Sequence, residues 1–381
     1  MDKDLKSKTF NELGRLVAGL GEKKYLAGYI FSFIHTRAVR DISEITPLSK
    51  SFRGKLIEQG YYISSLEIVD KLTDPDGTVK YVFSIGNQQS AIGNKIESVL
   101  LFDPVKSKRF PGLSPGNSKG ISQGDGPSRL RRTLCVSTQV GCAMGCVFCA
   151  TGRLGLSRNL TSAEIVDQVN LVELDSRYSI LDTRTSIAHR VSNVVFMGMG
   201  EPLANYDAVL TAIRILNHPK GKNIGIRHLT VSTCGLPEGI ERLAEEDIRP
   251  RLAISLNAPT DAIRRRLMPI AKKHTLGRLL AAVGLYQRKT HNRVTFEYCL
   301  IKGVNDTVLH ARLLVKRLRG FMCNVNLIEF NPYNGCDLKP SGKEALERFA
   351  AALKEAGIET TVRQKFGRTI NAACGQLGAS S

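Results

Sequence analysis

The sequence predicts an α/β fold in which parallel strands alternate with helices, preceded by a small helical module and a short antiparallel sheet. Three observations predict it. From Leu134 onward, the β-branched runs TLCVSTQ, SNVVFMGMG, IRHLTVSTC, PRLAISLNA, RVTFEYCLI, CNVNLIEF and ETTVRQ are separated by helix-like stretches such as TSAEIVDQVNLVEL and GKEALERFAAALKEAGI. Such alternation argues for right-handed crossovers, hence a barrel or a doubly wound sheet, and about six strands fall short of a closed eight. Ahead of them, apolar residues between Phe10 and about Gly60 recur at helical spacing. The stretch that follows alternates with the period of strands.

Taken in order, residues 1–65 form the helical module, from NELGRLVAGL and KYLAGYIFSFIH with Gly at the breaks, and it holds no catalytic-looking residue. Residues 66–105 carry ISSLEIVDKLTD, TVKYVFSIG and KIESVLLFD, with Asp76-Gly77 as a turn signal. Residues 106–131, KSKRFPGLSPGNSKGISQGDGPSRLR, have almost nothing apolar to bury and are expected as a flexible surface insertion. Residues 132–381 form the α/β unit. Several of its strands end in Gly, Ser, Asn or Glu, at the end where parallel barrels keep their active sites.

The 381 residues include 54 Lys and Arg against 35 Asp and Glu, a surplus of +19 that suits a phosphate backbone. A solvated charged surface would produce the same count, so charge supports nucleic acid without deciding it. No apolar run approaches the length of a membrane span, and MDKDLKSKTF lacks the apolar core of a secretory signal, so a cytoplasmic address is expected. In that setting nine Cys, an odd count, read as ligands, reactive thiols or buried small residues rather than a disulfide framework.

Three of the nine form CAMGCVFC: Cys142, Cys146 and Cys149, just after the run TLCVSTQV. Three thiolates on one loop can hold three irons of a [4Fe–4S] cube and leave the fourth open. The amino and carboxylate groups of S-adenosylmethionine (SAM) can chelate such an iron, after which one electron cleaves the sulfonium. A structural zinc site would need a fourth ligand, usually from a second Cys or His pair, and none stands at suitable spacing. A Gly-containing loop is also a poor place to bury three inert thiols.

The motif resembles that of the radical SAM superfamily, with Phe148 before the last Cys. More closely, CVSTQVGCAMGCVFCATGRLGLSRNLTSAEIVDQV, FMGMGEPLAN, SLNAP, NLIEFNP and NAACGQL resemble the RlmN/Cfr family of RNA adenine methyltransferases. The likeness runs from the N-terminal helices to the last residues. It implies a partial (βα)6 barrel of TIM type for the α/β unit, an RNA-binding role for the helical module, and a [4Fe–4S] cluster with two SAM molecules per turnover. By itself, the strand-end GMGEP is most simply a tight turn. The resemblance makes Gly200 and Glu201 SAM contacts, with Glu201 accepting from the ligand ammonium, and adds Ser232, Ser255, Leu256, Asn257 and Asn331. The family usually has His at the position of Asn257 and Ser at that of Cys234.

The resemblance also implies roles for two distant thiols. An adenine ring carbon is too electron-poor for direct methyl transfer. One SAM would therefore methylate Cys374, and a radical from a second would activate the S-methyl group to add to the base. Cys135 would then resolve the tethered adduct and form a disulfide with Cys374. Cys234, Cys299, Cys323 and Cys336 read as buried and inert. Glu97 would be an ordinary exposed strand residue on sequence alone, and the family assigns its counterpart as a proton acceptor near the base. Arg264-Arg265-Arg266 and Lys272-Lys273 are candidates for RNA phosphates, or for a solvated face. The implied substrate is an adenosine of 23S rRNA in the peptidyl transferase centre, methylated at C2, with a tRNA adenosine as a second candidate. The implied partners are flavodoxin or ferredoxin as reductant, and the protein is expected as a monomer. The rival within the family methylates C8 and confers antibiotic resistance; Pro202 favours C2. The rival from another class, an RNA-binding protein with a structural metal cluster, is disfavoured by the intact five cysteines.

Overall fold

The computed structural model describes residues 2–86, 95–104, 130–179 and 190–379. The helical module comprises α1 (Phe10–Gly19), α2 (Leu26–Thr36) and α3 (Lys50–Glu58). Thr9 starts α1 with a reciprocal capping box to Glu12, and Leu13 and Val17 turn inward one helical turn apart. The module docks on the remainder through a buried Lys6–Asp167 ion pair at 2.6 Å and a hydrogen bond from Ser162 Oγ to the Ser7 carbonyl at 3.1 Å.

Strands β1 (Glu67–Thr73), β2 (Val79–Ser84) and β3 (Lys95–Pro104) follow as an antiparallel meander, and β3 pairs antiparallel with β4 (Leu130–Cys135). The short linking sheet expected from sequence is thus a continuation of the main sheet. Most of the expected insertion lies outside the described residues; its last two positions already belong to β4. The run TLCVSTQV, expected as one strand, breaks after Cys135. There Ser137 Oγ donates to the Glu97 carbonyl at 2.6 Å, and the chain turns into β5 (Gln139–Cys142).

β5 pairs with β6 (Gly155–Asn159) in a separate hairpin that encloses α4 (Ala150–Arg153). After it, helices and parallel strands alternate: α5 (Ser162–Ser179), β7 (Asn193–Phe196), α6 (Tyr206–Asn217), β8 (Leu229–Thr233), α7 (Pro237–Glu245) and β9 (Arg251–Ser255). Then come α8 (Asp261–Leu267), α9 (Leu276–Thr290), β10 (Val294–Leu300), α10 (Val308–Leu318), β11 (Cys323–Glu329), α11 (Lys343–Glu355) and β12 (Thr360–Val362). The strands lie in the order β1-β2-β3-β4-β7-β8-β9-β10-β11-β12, with β4 and all those after it mutually parallel. This is the partial barrel expected from sequence, with the three-residue β12 as a short extra strand.

Register decides what each face carries, because partners in a parallel ladder project to the same side. One face presents Leu229, Val231, Leu252, Ile254, Phe296, Val325 and Leu327, all buried. The other aligns Cys135 with Val195 and Thr230, then Ser232 with Ala253, Ser255 with Glu297, and Cys299 with Ile328. Asn326 Nδ2 donates to Glu297 Oε1 at 3.1 Å on this polar face. The polar face lines the site.

Candidate active site

The three-cysteine loop is built by backbone constraints. Cys142 ends β5, and Cys149 is the residue that caps α4. Gly141 has φ +75°, and a Cβ there would fall 1.9 Å from the Gly155 carbonyl, so only glycine closes the hairpin beneath Cys142. Val147 N donates to the Leu267 carbonyl at 3.0 Å, and Tyr333 Oη to the Val147 carbonyl at 2.9 Å.

The three thiols open onto one cavity at the C-terminal ends of the strands. Gly200, Glu201, Ser232, Ser255, Asn257, Glu297 and Cys374 line the same cavity. Burial raises the pKa of all three, that of Cys142 to about 12. Burial does the same to Cys234 and Cys299, so what sets these three apart is their place on one loop facing one cavity. Among the described residues no three His, Cys, Asp or Glu side chains converge on a single ion position. In a cube each thiolate takes a different iron, so thiols spread around a cavity fit the group.

Glu201 is buried and fixed: Oε1 accepts from Leu203 N at 2.9 Å and Oε2 from Cys234 N at 2.7 Å. Burial raises its pKa and these donors oppose the rise. Its charge, held at the cavity wall, suits a ligand cation. The glycines of GMGEP serve the backbone as well. A Cβ on Gly198 would lie 2.7 Å from Val136, and one on Gly200 2.6 Å from Gln139 Cβ, so this strand end packs directly on the chain leading into β5.

Asn257 adopts φ +57°, a left-handed conformation that Asn and His tolerate better than most residues. Its Oδ1 accepts from Cys299 N at 2.8 Å, joining the ends of β9 and β10. Leu256 and Asn331 do not line the cavity. Leu256 N donates to the Glu297 carbonyl at 3.0 Å, and Asn331 Nδ2 to the Cys374 carbonyl at 3.2 Å.

Cys374 sits on a C-terminal tail held from many sides. Ala150 N donates to the Gly375 carbonyl at 2.7 Å, Thr151 Oγ1 to the Leu377 carbonyl at 2.6 Å and Gln376 Nε2 to the Pro332 carbonyl at 2.7 Å. Further back, Asp74 Oδ2 accepts from Thr369 N at 2.8 Å, and Asp76 Oδ2 from Gly367 N at 2.8 Å. Cys374 is exposed where it lines the cavity, yet the surrounding protein desolvates its thiolate and raises its pKa; the positive charge of Arg363 opposes this. Cys135, on the cavity-side face of β4, is raised to about 12, mainly by burial and next by the charge of Cys374.

Glu97 is buried, which corrects its reading as an exposed strand residue. Its Oε2 accepts from Gly378 N at 2.9 Å and Oε1 lies 3.5 Å from Lys80 Nζ. Arg264 is also corrected: it is fully buried and donates to the Cys234 carbonyl, so of its run only Arg265 and Arg266 are exposed, as are Lys272 and Lys273. Cys234 and Cys299, read as inert, line the cavity, and burial, then the charge of Glu201, raises the pKa of the Cys234 thiol. Sequence reasoning missed Glu297 and Arg363. A lone carboxylate within the apolar run RVTFEYCLI was an available signal for Glu297; nothing in the sequence marks Arg363.

Comparison with known proteins agrees with this geometry. Residues 136–314 match the radical SAM superfamily, and residues 3–61 match the ribosomal RNA large subunit methyltransferase N-terminal domain. The chain is 41% identical over 376 residues to the "Probable dual-specificity RNA methyltransferase RlmN" of Thermotoga sp. (strain RQ2), covering 98% of this chain and 97% of that protein. Its counterpart from Thermus thermophilus is 40% identical over 353 residues, 93% of this chain and 88% of that one. The crystal structure of a radical SAM methyltransferase from Sphaerobacter thermophilus superposes with a TM-score of 0.83 at 39% identity, covering 99% of this chain and 100% of that chain. Identity sustained over nearly the whole length, with the cysteine loop and the tail in place, shows that the chain belongs to the RlmN family of radical SAM RNA methyltransferases.

Proposed function

We propose that the protein methylates C2 of an adenosine in the peptidyl transferase centre of 23S rRNA, with a tRNA adenosine as a second substrate. In this reading Cys374 carries the methyl group. The observation that supports it is the single cavity shared by the three-cysteine loop and Cys374, with Cys135 on the face of β4 that carries the cavity-lining residues of the next strands. Cys142, Cys146 and Cys149 would hold a [4Fe–4S] cluster. Gly200, Glu201, Ser232, Ser255, Leu256, Asn257 and Asn331 would receive SAM, Leu256 and Asn331 through the backbone they fix. When bound, cluster and SAM supply one-electron cleavage of the sulfonium, and two SAM molecules are consumed per turnover.

The chain's own residues supply the rest. Cys374 gives the methyl group a nucleophile that the ring carbon does not offer, and the charge of Arg363 favours its thiolate against the cost of desolvation. Cys135, half-buried and held neutral at rest by desolvation of its thiolate, is spared unwanted reactions. Once it has lost its own proton, its thiolate takes a proton from the adduct or assists its breakdown, and closes a disulfide with Cys374 as the base departs. Glu97 acts as proton acceptor once its hydrogen bond to Gly378 yields. The adenine must leave its stack to enter such a cavity. Pro202, which opens a 3-10 turn directly after Glu201, accompanies C2 rather than C8 chemistry in this reading. The electron comes from a flavodoxin or ferredoxin.

The test uses the resolving thiol. Cys135→Ala should still label Cys374 with methyl and attack the base, then stall with RNA covalently attached, visible on a denaturing gel. Normal turnover by that variant would contradict the two-thiol scheme.

A further inference from the structure

A second concavity, of about 610 Å³, lies away from the cavity just described. It runs between α2 and the connection from α6 to β8, and Tyr25, Tyr29, Lys220 and Arg190 line it. Its volume is that of a small-ligand site. The connection precedes Leu229, and Arg190 precedes Asn193, so the groove is at the N-terminal ends of β7 and β8. The candidate active site is at their other ends, on the order of 15 Å away along a five-residue strand.

Its composition is specific. Tyr25 and Tyr29 stand one helical turn apart, 62% and 42% exposed, with ring centroids 6.3 Å apart and planes at 81°. The two rings thus form one exposed aromatic pair rather than a single scattered ring. Lys220 is braced, its Nζ 5.0 Å over the Phe10 ring, which itself stacks on His218 at 4.4 Å. Among the described residues no Asp or Glu lines the groove. Exposed rings beside cations, with no carboxylate, make a stacking platform flanked by phosphate contacts.

We propose that this groove is a second RNA-contact site, in which unpaired nucleotides of the substrate stack on Tyr25 and Tyr29 while Lys220 and Arg190 hold their phosphates. It rests on the reading of an RNA substrate and adds where, remote from the reacting base, that RNA is gripped. Single-stranded RNA is favoured over a duplex because the rings offer faces for bases that a helix keeps stacked. The net charge of +19 favours it over a protein partner.

The experiment measures binding of a fluorescent oligouridylate, which contains no adenine to methylate, to the full cluster-reconstituted chain. Tyr25→Ala/Tyr29→Ala should weaken binding about tenfold or more. Tyr25→Phe/Tyr29→Phe, which keeps the rings, should bind as the parent does. Lys220→Glu should weaken binding and flatten its salt dependence. An alanine pair that binds like the parent would overturn the proposal, as would a phenylalanine pair as weak as the alanine pair. Reductive SAM cleavage does not involve the groove, so its absence in the parent would count against the proposed function alone.

Discussion

The cysteine loop and the C-terminal tail both deliver thiols to one cavity, but they are held in place in opposite ways. The loop is local: Cys142 to Cys149 span eight residues, closed by the β5–β6 hairpin and by glycines that no other residue can replace. The tail has little structure of its own. Its anchors Thr151, Glu97, Asp76 and Asp74 lie 226, 281, 291 and 295 residues away in sequence from the groups they bind. The loop has outside supports in Leu267 and Tyr333, but the hairpin that shapes it is closed by its own residues. A tail held by distant partners can be released from far away.

The largest effect should come from the loop. Cys146→Ala should abolish cluster incorporation, read as iron and sulfide per chain after anaerobic reconstitution, while the tail stays ordered. A full cluster in this variant would mean that the loop is not the ligand set.

Next is Glu97→Ala. It removes the acceptor for Gly378 N and leaves Lys80, 1% exposed, without its carboxylate. Removing one partner of a buried pair costs about 3–5 kcal/mol, so the thermal midpoint should fall by several degrees. Hydrogen exchange in the tail should rise more than in the cysteine loop. Equal changes in both would remove the distinction drawn between them.

The smallest effect concerns Asp74. Its pKa is lowered, chiefly by the Thr369 hydroxyl and then by backbone N–H donors. A depressed folded-state pKa contributes stability in full above the unfolded value of about 4 and loses it as pH falls through the lower folded value. Tail exchange, corrected for intrinsic rates, should therefore be flat from neutral pH to about 5 and rise only below about 4. Asp74→Asn should exchange modestly faster around Thr369 at every pH. A rise near pH 6 would point to another group.

This contrast also explains what could be read from sequence. The alternation of strands and helices, the ligand loop and the strand-end polar residues are local in sequence and were legible there. The burial of Glu97 was not, because KIESVLL reads as a half-exposed strand until the tail covers it. Arg264 escaped the sequence for a related reason. Three consecutive arginines look like one charged face, but successive helical positions diverge by about 100°, and the first points into the protein beneath Cys234. Cys234 and Cys299 could not be told from inert core thiols, since burial is the same on either face of a strand and only register assigns the face.

The most direct test of the central claim follows the methyl group itself. The reconstituted, reduced protein is given SAM with a trideuterated methyl group, first alone and then with RNA, and the Cys374 peptide and the RNA are analysed by mass spectrometry. If Cys374 is the carrier, its peptide gains the labelled methyl before RNA is added. The adenine then receives that group short of one deuterium, because a hydrogen atom must be taken from it before it adds to the ring. An adenine that receives all its deuterium, or a Cys374→Ala protein that methylates RNA, would contradict the account.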